Sequence, residues 1–325
     1  MNETKTILVT GGAGYIGSVV AELLEKKGYK IIIIDDLSEG KIGAVSLNSV
    51  LYQTNFGDAN TLEDIFKKFK VSFVLHFAAS ANVPDSVVNP LKYYENNVIN
   101  TISLLKMMIK FNVKKIIFSS TAAVFGEPLY TPIDEKHVLN PVNPYGMSKL
   151  MVENILTDFS NAYGINFIAF RYFCAAGSTK DHGESRDYET HLIPVVLDQV
   201  LNKRDCVTVF GKDFNTPDGT GIRDFIHVED IAIAHILSME NFDRVHNKFI
   251  NLGNGRGFSV LEIIKAAEEY LNTKVSYKIG EKRNGDPAVL ISSYQNAFNL
   301  LGWEPSKTLK DIIESAYIWR KSPKY

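Results

Sequence analysis

The segment Thr10-Gly11-Gly12-Ala13-Gly14-Tyr15-Ile16-Gly17 constrains this chain more than any other. It carries G-x-G-x-x-G at Gly12, Gly14 and Gly17, and G-x-x-G-x-x-G beginning at Gly11, between the apolar run TILVT and a helical pattern. Glycines there allow the tight turn, close backbone approach to a pyrophosphate, and close helix–strand packing. The helix start then offers free N–H groups and a partial positive charge to phosphates. The next apolar run, KIIIID, ends in Asp35, 18 residues beyond Gly17. A carboxylate at that place accepts both adenosine ribose hydroxyls and repels a 2′-phosphate. No arginine stands beside it, so the sequence predicts NAD rather than NADP.

The glycine turn sits in a repeated strand–helix rhythm. Strands are predicted at Thr6–Thr10, Lys30–Asp35, Val50–Thr54, Ser72–Phe77, Lys115–Ser120 and Asn166–Tyr172, with helices at Tyr15–Lys27, Leu62–Phe69, Tyr93–Phe111 and Tyr145–Tyr163. Their apolar runs are continuous rather than alternating, as strands covered on both faces require. The prediction is an α/β fold: a Rossmann-type doubly wound parallel sheet with a smaller C-terminal α/β substrate domain. Residues 1–176 form the NAD-binding part and 177–325 mainly the substrate part. The boundary is soft, because 222–252, with its FIHV and KFINL runs, can return to the first sheet. Later elements are a helix near Leu192–Asn202, a strand Val207–Phe210, and helices from Glu229, Ser259 and Leu309.

Composition excludes other classes. At 325 residues the chain exceeds what one compact core usually needs. Lys+Arg 35 against Asp+Glu 37 gives no electrostatic footprint for nucleic acid or an anionic membrane. No apolar run approaches the roughly 18 residues of a spanning helix. Two cysteines, Cys174 and Cys206, make no disulfide framework, and the start lacks a signal-peptide core. A soluble cytoplasmic protein is expected. The histidines are scattered, with no H-x-x-x-H and no cysteine partners, so no metal site is expected. His76 reads as a satisfied core histidine and His227 as a turn-ordering one.

Tyr145 and Lys149, spaced i, i+4, share one face of a helix. An ammonium beside a phenol favours the phenolate and makes a usable base. Three such pairs exist, the others being Tyr270/Lys274 and Tyr317/Lys321. Only Tyr145 follows a proline-marked helix start and a Ser119-Ser120-Thr121 run at a strand's C-terminal end, where open α/β sheets bind ligands. The first pair is read as the active one.

TGGAGYIG, FSSTAAVFG around Thr121 and PYGMSK around Tyr145 resemble the extended short-chain dehydrogenase/reductases. More closely, HFAASANVPDSVVNPLKYYENNV, RYFCAAG, DGTGIRDFIHVEDIA and RNGDPAVL are similar in order and spacing to the UDP-glucose (UDP-galactose) 4-epimerase family, over nearly the whole chain. The resemblance implies a UDP-sugar substrate oxidised and re-reduced at carbon 4 with tightly bound NAD. Tyr145 moves the 4-hydroxyl proton, Thr121 hydrogen-bonds the 4-oxygen, and Lys149 holds the nicotinamide ribose and depresses the tyrosine pKa. Cofactor contacts are implied at Gly11, Gly12, Gly14, Tyr15, Ile16, Gly17, Asp35, Asp58, Ala59, Phe77, Ala78, Ala79, Asn97 and Tyr172. Ala81 stands where some relatives carry a diphosphate-binding lysine.

Substrate contacts are implied at Arg223 and Arg283 on the diphosphate, Asp286 near the uridine ribose, and at Cys174 and His191, where some relatives have asparagine. Leu290 falls at the gate beside the sugar 2-position; being smaller than tyrosine, it predicts some activity on UDP-N-acetylhexosamines. A homodimer through the Tyr93 and Tyr145 helices is implied as well. A same-fold 4,6-dehydratase needs Thr-Asp-Glu where this chain has Thr121-Ala122-Ala123. A UDP-pentose 4-epimerase and a non-catalytic NAD-binding regulator are the remaining alternatives; the intact Tyr145, Lys149 and Thr121 set argues against the second.

Overall fold

The computed structural model describes residues 5–283 and 285–325. Its first half alternates β1 (Thr6–Thr10), α1 (Tyr15–Lys26), β2 (Lys30–Asp35), β3 (Val50–Gln53), α2 (Ala59–Lys68) and β4 (Val71–His76). Then come α3 (Val83–Val88), α4 (Pro90–Tyr93), a π-helical turn (Tyr94–Ile99), α5 (Asn100–Lys110), β5 (Lys115–Thr121), α6 (Pro144–Tyr163) and β6 (Asn166–Tyr172). The second half holds β7 (Cys174–Ala176), α7 (Leu192–Val200), β8 (Val207–Phe210), β9 (Ile222–His227), α8 (Val228–Glu240), α9 (Phe242–Val245) and β10 (Lys248–Leu252). It closes with β11 (Gly257–Ser259), α10 (Val260–Leu271), β12 (Tyr277–Gly280), β13 (Val289–Leu290), α11 (Gln295–Leu301) and α12 (Leu309–Lys321).

Seven parallel strands form the main sheet in the order β10-β6-β5-β4-β1-β2-β3. Ile7, Val9, Ile31 and Ile33 face one side, against α1 and α8; Leu8, Ile32 and Ile34 face the other, against α2, α5 and α6. Both faces are dry, which explains why KIIIID reads as an unbroken apolar run. KFINL joins this sheet beside β6. FIHV does not: β9 pairs with β7, β11 and β13 in a separate small sheet, because α8 follows it and covers the main sheet next to α1. A two-stranded β12–β8 ladder lies beyond it.

Local chemistry sets the ends of α6. The Asn143 side chain accepts from the Gly146 N–H at 2.8 Å, Pro144 occupies the first turn, and Gly164 ends the helix at φ 66°. The helix predicted from Tyr93 starts earlier, at Pro90, and contains the π-helical turn. The unpredicted α3 is capped by Asn82, whose side chain accepts from the Asp85 N–H. The glycine turn is sterically closed. A Cβ on Gly17 would lie 2.2 Å from the Gly11 carbonyl oxygen, and one on Gly11, at φ +72°, would lie 2.5 Å from the Ala78 nitrogen. Gly17→Ala should therefore cost about 1–3 kcal/mol in urea unfolding. Gly14→Ala, whose Cβ meets nothing nearer than 3.3 Å, should cost at most about 1 kcal/mol.

Candidate active site

One cavity of about 940 Å³ runs along the C-terminal edge of the main sheet and into the small sheet. It opens where the strand order reverses between β4, β1 and β2, as open α/β sheets dictate. At one end lie Gly11, Gly14, Tyr15, Ile16, Gly17 and Asp35; in the middle Phe77, Ala78, Ala79, Thr121, Tyr145, Lys149 and Tyr172; at the other end Cys174, His191, Arg223, Arg283 and Asp286.

The first end fits a dinucleotide. α1 starts at Gly14 with no side-chain cap and no acid in its first turn, so its positive end stays open. The Asp35 carboxylate is held by the Ala13 and Leu37 N–H groups, both at 2.9 Å, which fix its direction and leave lone pairs free. Burial pushes its pKa up and the two N–H groups oppose this. Lys41, the nearby cation lining the cavity, is paired with Asp187. Ala81 also lines this stretch, and so does Lys92 of α4, paired with Asp85 at 3.0 Å.

At the centre the cavity brings Tyr145, in the first turn of α6, together with Thr121 at the end of β5. The Tyr145 ring stands edge-on to Tyr93, with centroids 6.4 Å apart. Lys149, one turn on, is buried and donates to the Ser119 carbonyl at 2.8 Å. The expectation that Lys149 depresses the Tyr145 pKa needs correction. Burial raises Tyr145, and the opposing effects come from Thr121 and the Arg186 guanidinium. Lys149 is itself pushed down by burial, to about 7, with Glu153 pulling the other way. Cys174 is pushed up to about 11 by burial, so it is a neutral thiol. Tyr172 is raised by burial, and its hydroxyl lies 2.8 Å from His235 Nε2.

Five sequence-predicted residues do not line the cavity. Gly12 faces β2, where a Cβ would meet Ile33 at 2.8 Å. Asp58 caps α2 through the Thr61 N–H, leaving Ala59 as its first residue. Asn97 is turned by the π-helical segment onto the Ser80 backbone and the Ser148 hydroxyl, and Asn96 takes the cavity position instead. Leu290 packs against the cluster of Val124, Phe125 and Phe173. Arg223 and Asp286 are paired with each other, and the Arg283 guanidinium lies 3.8 Å over the Phe210 ring.

In the 177–191 loop the sequence pointed to His191 but not to Glu184, Arg186 or Glu189. Glu184 is buried and accepts from His191 at 2.5 Å, while Arg186 Nε lies 3.1 Å away. Glu184 accordingly raises the His191 pKa. Glu184, Glu189 and His191 have ligand-type atoms within 4.8 Å of one another. Their charge is already answered by Arg186, by His191 and by Arg320, 3.9 Å from Glu189, so the cluster reads as an ion network. No periodicity marks a loop like this. His76 is held between the Thr10 and Thr101 hydroxyls at 2.7 and 2.8 Å and stays neutral, its pKa pressed down to about 3 by burial and by Lys149. His227 accepts the Glu229 N–H and caps α8.

A doubly wound sheet with this glycine turn, and a half-buried tyrosine with a buried threonine and lysine at its C-terminal edge, defines a dinucleotide-dependent enzyme of the short-chain type. The chain belongs to the NAD dependent epimerase/dehydratase family, which it matches over residues 7–253. Within it the chain is similar to UDP-glucose 4-epimerases. That of Halalkalibacterium halodurans is 45% identical over 97% of this chain and 95% of its own. The structure of the Bifidobacterium longum enzyme in complex with NAD+ and UDP superposes with a TM-score of 0.94 at 36% identity, covering 98% and 99% of the two chains. The UDP-Glc/GlcNAc 4-epimerase of Campylobacter jejuni superposes at 0.85 with 39% identity, over 98% and 99%. Among the described residues no helix is long and apolar enough to cross a membrane.

Lys149 allows a stability test. Its folded pKa lies below its unfolded one, so the unfolded chain binds the extra proton and stability rises with pH above about 7. Lys149→Met should stabilise the fold by of the order of 3 kcal/mol at pH 6. Melting curves from pH 6 to 9 should show that gain shrinking.

Proposed function

We propose that the chain is a UDP-glucose 4-epimerase that interconverts UDP-galactose and UDP-glucose with tightly held NAD. The observation that carries this reading is the placing of Tyr145 beside Thr121 at the end of β5. Both lie in the same cavity as the glycine turn on one side and Arg223 with Arg283 on the other. Bound NAD supplies a reversible hydride acceptor for sugar carbon 4. Gly11, Gly14, Tyr15, Ile16, Gly17 and Asp35 hold its adenosine diphosphate half; Phe77, Ala78, Ala79, Lys149 and Tyr172 line the remainder.

Tyr145 takes the 4-hydroxyl proton and returns it, and Thr121 orients the 4-oxygen through its own hydroxyl. To take that proton Tyr145 must start as the phenolate; burial opposes that form, and Thr121 and the Arg186 guanidinium favour it. Arg223 and Arg283 take the substrate diphosphate; Arg223 must then exchange Asp286 for phosphate oxygens, and Asp286 turns to the uridine ribose. Cys174 borders the sugar and His191 the diphosphate. Residues 1–176 carry the cofactor and 177–325 mainly the nucleotide sugar.

Val87, Val88 and Leu91 on α3 and α4, with Ile99 in the π-helical turn, expose apolar surface beside α6 and support a homodimer. The free cysteines support a cytoplasmic setting.

Purified protein with no NAD added should convert UDP-galactose to UDP-glucose. Tyr145→Phe should lower kcat about 10²–10⁴-fold while the protein retains its NAD. Absence of conversion even with NAD supplied overturns the reading. Parallel incubations with UDP-N-acetylgalactosamine and UDP-arabinose test the gate assigned to Leu290 and the pentose alternative. Val88→Asp combined with Leu91→Asp should shift the protein to monomer in light scattering.

A further inference from the structure

Beneath the Tyr145 and Lys149 face of α6 lies an ion pair that the proposed chemistry does not use. Glu153, one turn beyond Lys149, is 1% exposed, and so is Arg171 on β6. Arg171 grips the carboxylate with two donors, Nε at 3.0 Å and Nη2 at 2.7 Å. The Ser120 hydroxyl donates to the same carboxylate at 2.6 Å. Ser120 lies between Ser119, whose carbonyl takes the Lys149 ammonium, and Thr121, which lines the same cavity as Tyr145. The guanidinium is sandwiched 5.1 Å from the Phe125 ring and 4.9 Å from Phe249, and its Nη1 is without a hydrogen-bond partner.

Burying such a pair is expensive, and an apolar substitute of like volume is often neutral or better for stability. Its retention here needs a further reason. Lys149 has no carboxylate hydrogen-bonded to it; its contacts are the Ser119 carbonyl and the Phe118 ring at 4.8 Å. The ionisable groups acting on it or sharing its cavity wall are Glu153 on its own helix, neutral His76 on β4, and the phenols of Tyr145 and Tyr172. Glu153 is the negative charge among them.

We propose that Glu153, gripped by Arg171, is a positioning residue for the proposed epimerisation: its carboxylate is the counter-charge that keeps Lys149 an ammonium in a dry cavity wall, and it ties α6 to the strand carrying Thr121. This rests on the epimerase reading. Arg171 anchors the far side of the carboxylate, so the negative charge stays aligned with α6 rather than swinging out to water. Burial alone drives the Lys149 proton off; Glu153 restrains that loss.

The test compares wild type, Glu153→Gln, Glu153→Asp and the double variant Glu153→Gln with Arg171→Met. The double variant removes the whole pair and leaves no unpaired guanidinium. The first readout is kcat and KM for UDP-galactose across pH. Glu153→Gln should move the alkaline limb of kcat to lower pH by about one unit or more, a tenfold loss on that limb, with KM little changed. Glu153→Asp should restore most of the limb, and the double variant should behave like Glu153→Gln.

The second readout needs no activity: the melting-temperature gap between wild type and Glu153→Gln, or the double variant if the single one does not fold. Below the Lys149 pKa the lost counter-charge is felt in full; above it Lys149 is neutral in both proteins. The gap should therefore narrow from pH 6 to pH 8. A kcat loss equal at all pH values, together with a constant melting gap, overturns the proposal and leaves the pair a packing element. An inactive wild type whose melting gap still narrows removes the epimerase reading and the catalytic role, while locating the counter-charge where it is described.

Discussion

The close approach of three backbone segments at Gly11, Gly17 and Ala78 is the contact on which the rest of the molecule depends. A side chain at Gly11 or Gly17 would collide with backbone, not with a yielding side-chain tip. This contact sets the angle at which α1 leaves β1 and draws the end of β4 beside it. The positive end of α1 therefore faces the gap where the sheet changes direction. Everything downstream of β4, including the strand that carries Thr121, is placed against that frame.

Within the cavity, burial sets charge more than neighbouring charges do. Desolvation is the largest influence on Tyr145, Lys149, Tyr172, Cys174 and Asp35 alike, and each is pushed toward its neutral form. The Ala13 and Leu37 N–H groups oppose that push on Asp35, Thr121 opposes it on Tyr145, and Glu153 opposes it on Lys149. The 177–191 loop works differently: Glu184 forces His191 toward its cationic form at the phosphate-facing end. A neutral chemical centre thus adjoins a charged recognition end, as transfer of a proton and capture of a diphosphate respectively require.

The sequence made the first half legible because both-face burial imposes continuous apolar runs, and these mark β1 to β6 to within a residue or two. The glycine turn, Asp35 and the Tyr145–Lys149 pair are legible as residue types at fixed spacings, whereas the role of Thr121 comes from the family resemblance; the structure lines one cavity with them. Less visible were groups whose placement depends on three-dimensional detours. Asn96 and Asn97 exchange roles through one helical irregularity; Asp58 and Leu290 go to capping and packing. The DGTGIRDFIHVEDIA stretch shows why a pattern can be specific without being chemical. Asp218 binds Thr220 and Ser259, Asp224 collects Asn254, Gly255 and Ser292, and Asp230 holds Ser306 and Lys307. These aspartates tie loops of the small sheet rather than substrate. Glu153 and Arg171 gave no signal, since their partnership exists only when α6 lies on β5 and β6.

The π-helical turn at Tyr94–Ile99 has a consequence for how such a chain can drift. A π turn holds one residue more than an α turn, so removing one within it regularises the helix, whereas removing one outside it rotates everything on one side of the cut by about 100° relative to the other. In the second case Asn96 would leave the cavity, Asn97 would release the Ser80 loop, and Ile99 would abandon its exposed row, all in one event. Point changes can adjust these functions separately, whereas insertions and deletions there cannot. The length of the helix flanking the turn is therefore a locked dimension of the protein, tolerant in identity and intolerant in count.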